Sequence, residues 1–310
     1  MAEYPDKLVL RANELYFALE EEDYNSSHEE ILILELPRWK RIIGRFSKEF
    51  SNKEAILDVG CGTGFVATVF CPYLAPKTKF ICSDISQRML KQCESNLKDK
   101  NFQCGLIYKM YDGAHLPFAD NSIDILTLNS VLHHIPNTES FLKEADRVLK
   151  KGGYLLIGHE ANKRFYKNKI VWTIYRILYA LYHPSSVRNI LQRRGLSVFG
   201  SSPAPKERDK VTEKINEALL SEGLISEKLS KFEIDKIIEI YSIRGFDMLD
   251  LSNKLQGFKL AYFETYNHLY WIFMEHYKNL FIRALNDILG FLYPKDGKTM
   301  FLIFKKQLNN

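Results

Sequence analysis

The feature that most restricts what this chain can fold into is the run Ile56-Leu57-Asp58-Val59-Gly60-Cys61-Gly62-Thr63-Gly64, an apolar strand that enters a glycine-rich turn and then a helix. Glycines at alternate positions let the backbone bend tightly and let a ligand lie against it with no Cβ in the way. From position 55 onward, short apolar runs alternate with helical patterns. The runs 55–59, 79–83, 106–110, 123–128 and 154–158 read as strands, with helices starting near Gly64, Ser86 and Thr138. This alternation predicts a parallel sheet with helices on both faces.

The flanks read differently. Residues 7–49 carry apolar positions at helical spacing, with Pro37 as a break, and form an N-terminal helical arm. Asn137-Thr138 can cap the helix that starts there, and Gly152-Gly153, after Lys150-Lys151, are placed to stop it. From about 160 to 250 the alternation gives way to helical patterns with a Gly/Ser/Pro-rich break at 200–205, an inserted helical cap. Strand character returns at 258–263 and 299–305, on either side of an aromatic helical stretch at 267–292. The expected division is therefore an arm, 1–50, a sheet domain, 51–160 with 251–310, and a cap, 161–250.

A chain of 310 residues can bury one full α/β core and an appended subdomain. Its net charge of +5 does not by itself demand nucleic acid or membrane. The distribution matters more, because residues 161–206 hold nine Lys or Arg and no acid. Five cysteines (Cys61, Cys71, Cys82, Cys93, Cys104) form no CxxC pair and no zinc spacing, so no metal is expected and the thiols read as reduced. Their interval of ten or eleven spreads them over separate elements and is taken as coincidence. The N-terminus lacks a signal-peptide pattern, and the apolar run 170–182 contains Arg176 and falls short of the ~20 residues that span a bilayer. A cytoplasmic location follows as the expectation, with peripheral membrane contact open and oligomeric state undetermined.

The glycine turn alone does not identify its ligand, since Gly62-Thr63-Gly64-Phe65-Val66-Ala67 also fits a dinucleotide pattern with Asp84 downstream. Charge separates the two. A pyrophosphate ~4 Å from Asp58 would be repelled by about 4 kcal/mol at an effective dielectric of about 20. A ligand with an ammonium and a sulfonium would be favoured there, if Asp58 faces the turn. Asp84, ending its strand, could accept both hydroxyls of a ribose, and Asp112, before Gly113, could accept from an adenine amino group. Either acid alone could instead be a turn residue or a helix cap, but three acids at the ends of three consecutive strands converge on one edge, which favours a shared ligand.

These motifs carry a resemblance. Leu57 to Gly64, Ser83-Asp84-Ile85-Ser86 with Met89-Leu90, Asp112-Gly113-Ala114 with Leu116-Pro117-Phe118, Asn129-Ser130-Val131-Leu132-His133-His134-Ile135, and Arg147 to Gly153 follow in order. Together they resemble the small-molecule class I methyltransferases related to the ubiquinone and menaquinone methylases, across roughly residues 20–160. The resemblance implies a Rossmann-like α/β fold with a seven-stranded, mostly parallel sheet, 299–305 supplying the antiparallel strand. It implies S-adenosylmethionine as cofactor, with Gly60, Cys61, Gly62, Thr63 and Gly64 around the methionine part and Asp84 on the ribose. Asp112 and Gly113, with Ile85 and Met89, would hold the adenine; Asn129 and Ser130 would flank the reactive methyl, with His133 beside the cofactor. Tyr24 is similar to a lid tyrosine, or else packs the arm onto the domain. Asn129-Ser130-Val131-Leu132 departs from the Asn/Asp-Pro-Pro-Tyr of enzymes that methylate amino groups of nucleobases, which disfavours that substrate.

Methyl transfer is an in-line displacement that needs alignment, exclusion of water, and a base only if the acceptor arrives protonated. His133, His134, His159 and Glu160 are the candidate bases. In the cap, Tyr166, Trp172, Tyr175, Tyr179 and Tyr182 include one helical stripe, and the other side of that helix is apolar too, so it is either sandwiched or touches lipid. With Tyr266 and His268, the residues Tyr166, Trp172 and Tyr175 are expected to line the pocket of an apolar or aromatic acceptor, which the basic stretch allows to be anionic. An NAD-dependent oxidoreductase, an RNA methyltransferase and a non-catalytic binding module are the alternatives, nucleic acid being disfavoured.

Overall fold

A computed structural model describes residues 4–19, 31–111, 115–182, 206–239, 245–269, 272–273 and 276–308. The strands are β1 Ala55–Val59, β2 Lys79–Asp84, β3 Gly105–Met110, β4 Ile123–Asn129, β5 Leu149–Ala161, β6 Phe258–Tyr266 and β7 Thr299–Lys306. The described helices are α1 Asp6–Leu19, α2 Leu36–Arg45, α3 Ser47–Phe50, α4 Phe65–Phe70, α5 Gln87–Leu97, α6 Thr138–Val148, α7 Lys163–Lys167, α8 Lys169–Tyr182, α9 Lys206–Ser221, α10 Lys231–Ile238, α11 Met248–Lys254 and α12 Leu280–Leu292. Each run read as a strand is one, to within a few residues at its ends.

The strands join into one seven-stranded sheet in the order β3-β2-β1-β4-β5-β7-β6. Strands β1 to β5 pair in parallel, and β7 runs antiparallel between β5 and β6. The order reverses beside β1, so the carboxyl ends of β1, β2 and β4 open one crevice, where ligands of such sheets bind.

Burial on both faces explains the near-continuous apolar strands. Ile56, Phe80, Ile125 and Phe301 enter one core with Trp39, Ile42 and Ile43 of α2 and Phe70 of α4. Leu57, Val59, Leu126 and Leu302 enter the other with Phe141 and Leu142 of α6. The helices between β5 and β6 do two different things. Ile215 and Leu219 of α9 and Ile234, Ile237 and Ile238 of α10 pack on Leu8, Val9 and Ala12 of α1. Helix α8 instead buries Val171 and Tyr175 against Ile282 and Leu289 of α12.

Two local expectations need correction. Pro37 stands in the first turn of α2 and starts a helix instead of breaking one. Helix α6 is capped by Asn137 as read, its Oδ1 accepting from the Ser140 amide, but it ends at Val148, ahead of Gly152-Gly153. Leu149 already pairs with Ile123, and the register shift before Ile125↔Tyr154 takes up the intervening residues, the glycines included. The Lys150 ammonium, 2.8 Å from Asp124, holds this bulge against β4.

Candidate functional site

The turn after β1 is left-handed at Gly60 (φ 67°), Gly62 (φ 51°) and Gly64 (φ 94°). At Gly60 the reason is also steric, because a Cβ would come within 2.4 Å of the Val131 side chain. Asp84, at the end of β2, ties the crevice together: one carboxylate oxygen accepts from the Gly62 amide and the other from the Ser86 amide, each at 2.9 Å. Burial pushes its carboxyl up to about 6 against those hydrogen bonds. Each oxygen keeps a second lone pair for the cavity that Asp84 lines.

Asp58 does not play the part its charge suggested. Strand alternation turns its side chain into the core, where it is fully buried and accepts from the Thr127 hydroxyl at 2.7 Å. Burial pushes its carboxyl well above the carboxylate range, toward the neutral form. It is not in the cavity wall. Tyr24, Asp112 and Gly113 lie outside the described residues.

The wall beyond β4 is held from beneath. Asn129 accepts from the indole N–H of Trp39 at 2.9 Å, and Ser130 takes φ 59°. Glu160 was a candidate base, but it is fully buried and outside the cavity wall. Its Oε1 accepts from the amides of Val131 (2.9 Å) and Leu132 (2.8 Å), and its Oε2 lies 2.9 Å from His133 Nδ1. It therefore fixes the loop that carries the histidines. Burial pulls His133 down, but the Glu160 carboxylate outweighs it, so the net direction is up. His134, with Nδ1 2.8 Å from the Ile238 carbonyl, is pulled down to about 3 by burial and by His133, whose ring centroid is 4.0 Å away.

His159 takes the left-handed φ of 54° within β5, lines the cavity, and sets Nδ1 2.9 Å from Oε1 of Glu35. Glu35 is fully buried at the last residue of a π-helical turn, Ile31–Glu35, and also accepts from the Tyr266 hydroxyl at 2.7 Å. Burial would raise its carboxyl, but His159, Arg38 and Tyr266 hold it below the usual range. The Arg38 guanidinium stacks 3.4 Å above the Tyr266 ring centroid and binds Glu264 at 2.8 Å. Reading the sequence missed Glu35. A lone acid in the apolar run Ile31-Leu32-Ile33-Leu34 was the available signal, since a carboxylate there is buried only with partners.

The cavity, about 180 Å³, is lined by Gly60, Cys61, Gly62, Thr63, Asp84, Ile85, Met89, Asn129, Ser130, His133 and His159, among others. Gly64 sits behind this wall, facing Cys93 and Leu97. The roof comes from α1 through Leu10, Asn13, Tyr16 and Phe17, with Glu239 after α10. None of Tyr166, Trp172, Tyr175, Tyr266 or His268 is in the wall. The first three pack around Phe165, Tyr266 serves Glu35, and His268 Nε2 lies 2.9 Å from the Tyr293 carbonyl. No Lys or Arg lines the cavity among the described residues, so the described part of the basic stretch, Lys163 to Arg176, is not its counter-charge, and Arg188, Arg193 and Arg194 lie outside the described residues.

The cysteine interval is less idle than it looked. Cys61, Cys82 and Cys93 come from the turn, β2 and α5, and their sulfurs lie within 4.8 Å of one another in the core. The neighbouring Cys61 and Cys82 thiols pull the Cys93 thiol below its ordinary value, against burial.

Residues 57–157 match the family described as "Methyltransferase domain". Among curated proteins, the chain is 32% identical to the demethylmenaquinone methyltransferase of Lactobacillus johnsonii over 117 residues, 37% of this chain and 47% of that one. It is also 32% identical to the ubiquinone/menaquinone biosynthesis C-methyltransferase of Teredinibacter turnerae over 120 residues, 38% of this chain and 48% of that one. The chain thus spans about half the length of the curated relatives it matches. A solved SAM-dependent methyltransferase from Aquifex aeolicus aligns over 88% of this chain and 98% of its own, at 15% identity and a TM-score of 0.40.

Proposed function

We propose that this chain, in which residues 57–157 of 310 match the methyltransferase domain family, is an S-adenosylmethionine-dependent methyltransferase of a small-molecule acceptor. One observation carries the reading. The glycine turn, Asp84, Asn129 with His133, and His159 come from the ends of four parallel strands, β1, β2, β4 and β5, and face one cavity.

The residues present suit this cofactor. Gly60 and Gly62 line the cavity without side chains, Asp84 has lone pairs for two ribose hydroxyls, and Ile85 and Met89 offer an apolar edge for a base. A dinucleotide is poorly served, because its pyrophosphate would meet Asp84 and Glu239 and no cation among the described lining residues. When bound, the cofactor supplies an electrophilic methyl on a sulfonium that is already a leaving group.

The chain's own residues then align the acceptor for in-line displacement, exclude water, and take up a proton. Helix α1 closes the cavity with Tyr16 and Phe17, which favours a small acceptor with an apolar or aromatic body. His159 is the base: with Nδ1 turned to Glu35, its Nε2 is the nitrogen left to accept a proton from an acceptor O–H, N–H or activated C–H. His133, set by Glu160, lies beside the cofactor. We assign 51–160 and 251–310 to the cofactor-binding sheet domain, 1–50 to an arm over the cavity, and 161–250 to an inserted helical cap.

Calorimetry with S-adenosylmethionine and its demethylated product tests the first step, and transfer of a labelled methyl to quinones, phenols and small amines tests the second. Saturable heat with both nucleosides and turnover lost in His159→Ala are expected. Heat with NADH and none with either nucleoside would sink the reading.

A further inference from the structure

Fourteen large apolar side chains are exposed among the described residues, and eight of them lie on α8 and α12. On α12 they are Leu280 (78% exposed), Phe281 (63%), Ile288 (53%), Phe291 (85%) and Leu292 (58%). Leu280, Ala284, Ile288 and Phe291 follow at spacings of four, four and three, opposite the buried Ile282 and Leu289. A helix that packs on one side should be polar on the other. This one is apolar on both.

Helix α8 repeats the pattern. Val171 and Tyr175 face inward, while Ile170, Ile177 and Leu181 are exposed. Each helix buries its other side in one shared cluster and keeps an exposed apolar stripe outside it. Basic residues border it. Lys169 and Arg176 on α8 and Arg283 on α12 are exposed, pair with no acid among the described residues, and face one acid, Asp287, on these two helices. Lys295 extends the basic border.

We propose that the outer faces of α8 and α12 form a docking site for an anionic lipid surface. The apolar stripes enter the boundary between headgroups and acyl chains, and the lysines and arginines stay at headgroup level. Charge favours an anionic lipid surface, because basic residues flanking an apolar stripe, with one acid on the two helices, are attracted to anionic headgroups. No helix of the described residues is long and apolar enough to cross a membrane, so this surface lies on the bilayer. The inference goes beyond the methyl-transfer reading and does not rest on it, since none of these side chains lines the cavity.

Flotation of the full chain with vesicles of phosphatidylcholine alone, and of an equal mixture with phosphatidylglycerol, tests the proposal. Binding to the mixed vesicles that weakens with salt is expected. Phe291→Glu and Ile177→Glu should each lower the partition coefficient at least about tenfold, as loss of one buried large apolar side chain implies. Lys169→Gln and Arg176→Gln should each lower it about fivefold. Both apolar positions are exposed, so melting temperature and heat with S-adenosylmethionine should be unchanged in these variants. No binding to the mixed vesicles at low salt overturns the proposal, as does binding that Phe291→Glu leaves intact. A concentration-dependent dimer that Phe291→Glu splits without lipid also overturns it, since a second copy would then cover the face. Flotation without nucleoside heat would leave this proposal standing and remove the cavity reading instead.

Discussion

The imidazole of His159 and the carboxylate of Glu35 meet at 2.9 Å, Nδ1 to Oε1, with Glu35 wholly buried and the Tyr266 hydroxyl on the same oxygen. A buried carboxylate at that distance, little screened by solvent, stabilises an imidazolium when one forms. That relationship supports the base role proposed for His159.

Replacing Glu35 with Gln should therefore lower kcat by roughly 10² or more, within the range for general-base catalysis, with the cofactor's affinity unchanged. Tyr266→Phe, which removes one donor and leaves the charge, should cost about fivefold, in line with one net hydrogen bond. Steady-state kinetics alongside calorimetry measures both. An unaltered kcat in Glu35→Gln excludes the dyad.

Cofactor affinity should depend on pH through Asp84. Its carboxyl is pushed up to about 6 by burial, and only the ionised form accepts freely from ribose hydroxyls and two amides. Affinity should fall below that pH, approaching about tenfold per unit. The sign for stability of the unliganded protein is opposite. The folded state holds this proton more tightly than the unfolded chain, so the contribution is lost as pH rises from about 4 to about 6, by up to about 3 kcal/mol. Calorimetry and thermal melts across that range report the two slopes, and a flat affinity profile excludes the assignment.

Gly60→Ala should destabilise the fold by about 2–4 kcal/mol, combining left-handed strain with a Cβ 2.4 Å from Val131. Val131→Ala should recover the steric share and leave about 1 kcal/mol of backbone strain. A double-mutant cycle by chemical denaturation separates the two. Additive losses would mean that the contact with Val131 does not matter.

Glu160→Ala should cost on the order of 3 kcal/mol, because the amides of Val131 and Leu132 lose their acceptor near the core. The pairing with His133 has a pH signature. The folded value of His133 is raised above its unfolded one, so its stabilisation is present below about pH 6.5 and lost as pH rises through the folded value. Melting temperature should fall over that interval in the natural protein, and this dependence should vanish in Glu160→Gln. The same slope in both proteins would show that the pair does not titrate.

Several elements were legible because their signals are local. The strand β1 with its glycine turn, the Asn137 cap and the strand character of β7 follow from side-chain period and from residue types that suit one backbone shape, while the antiparallel direction of β7 was an implication of the family resemblance. The end of α6 was misread for the complementary reason: Gly152 and Gly153 suit a helix stop, but pairing of Leu149 with Ile123 takes the chain into the sheet first. The aromatic stripe of α8 was legible as a stripe. What it faces was not, because an aromatic packs as well on a neighbouring helix as on a ligand.

The order of residues alone determined the alternation of strands and helices, the crevice at the glycine turn, and Asp84 and His159 at strand ends, since these depend on neighbours a few positions apart. Tertiary structure alone decided that Asp58 and Glu160 turn inward, that Glu35 reaches His159, that three cysteines converge, and that α1 roofs the cavity. Such contacts join segments far apart in the chain. A side chain's burial, and with it the protonation its carboxyl prefers, depends on which distant residues pack around it.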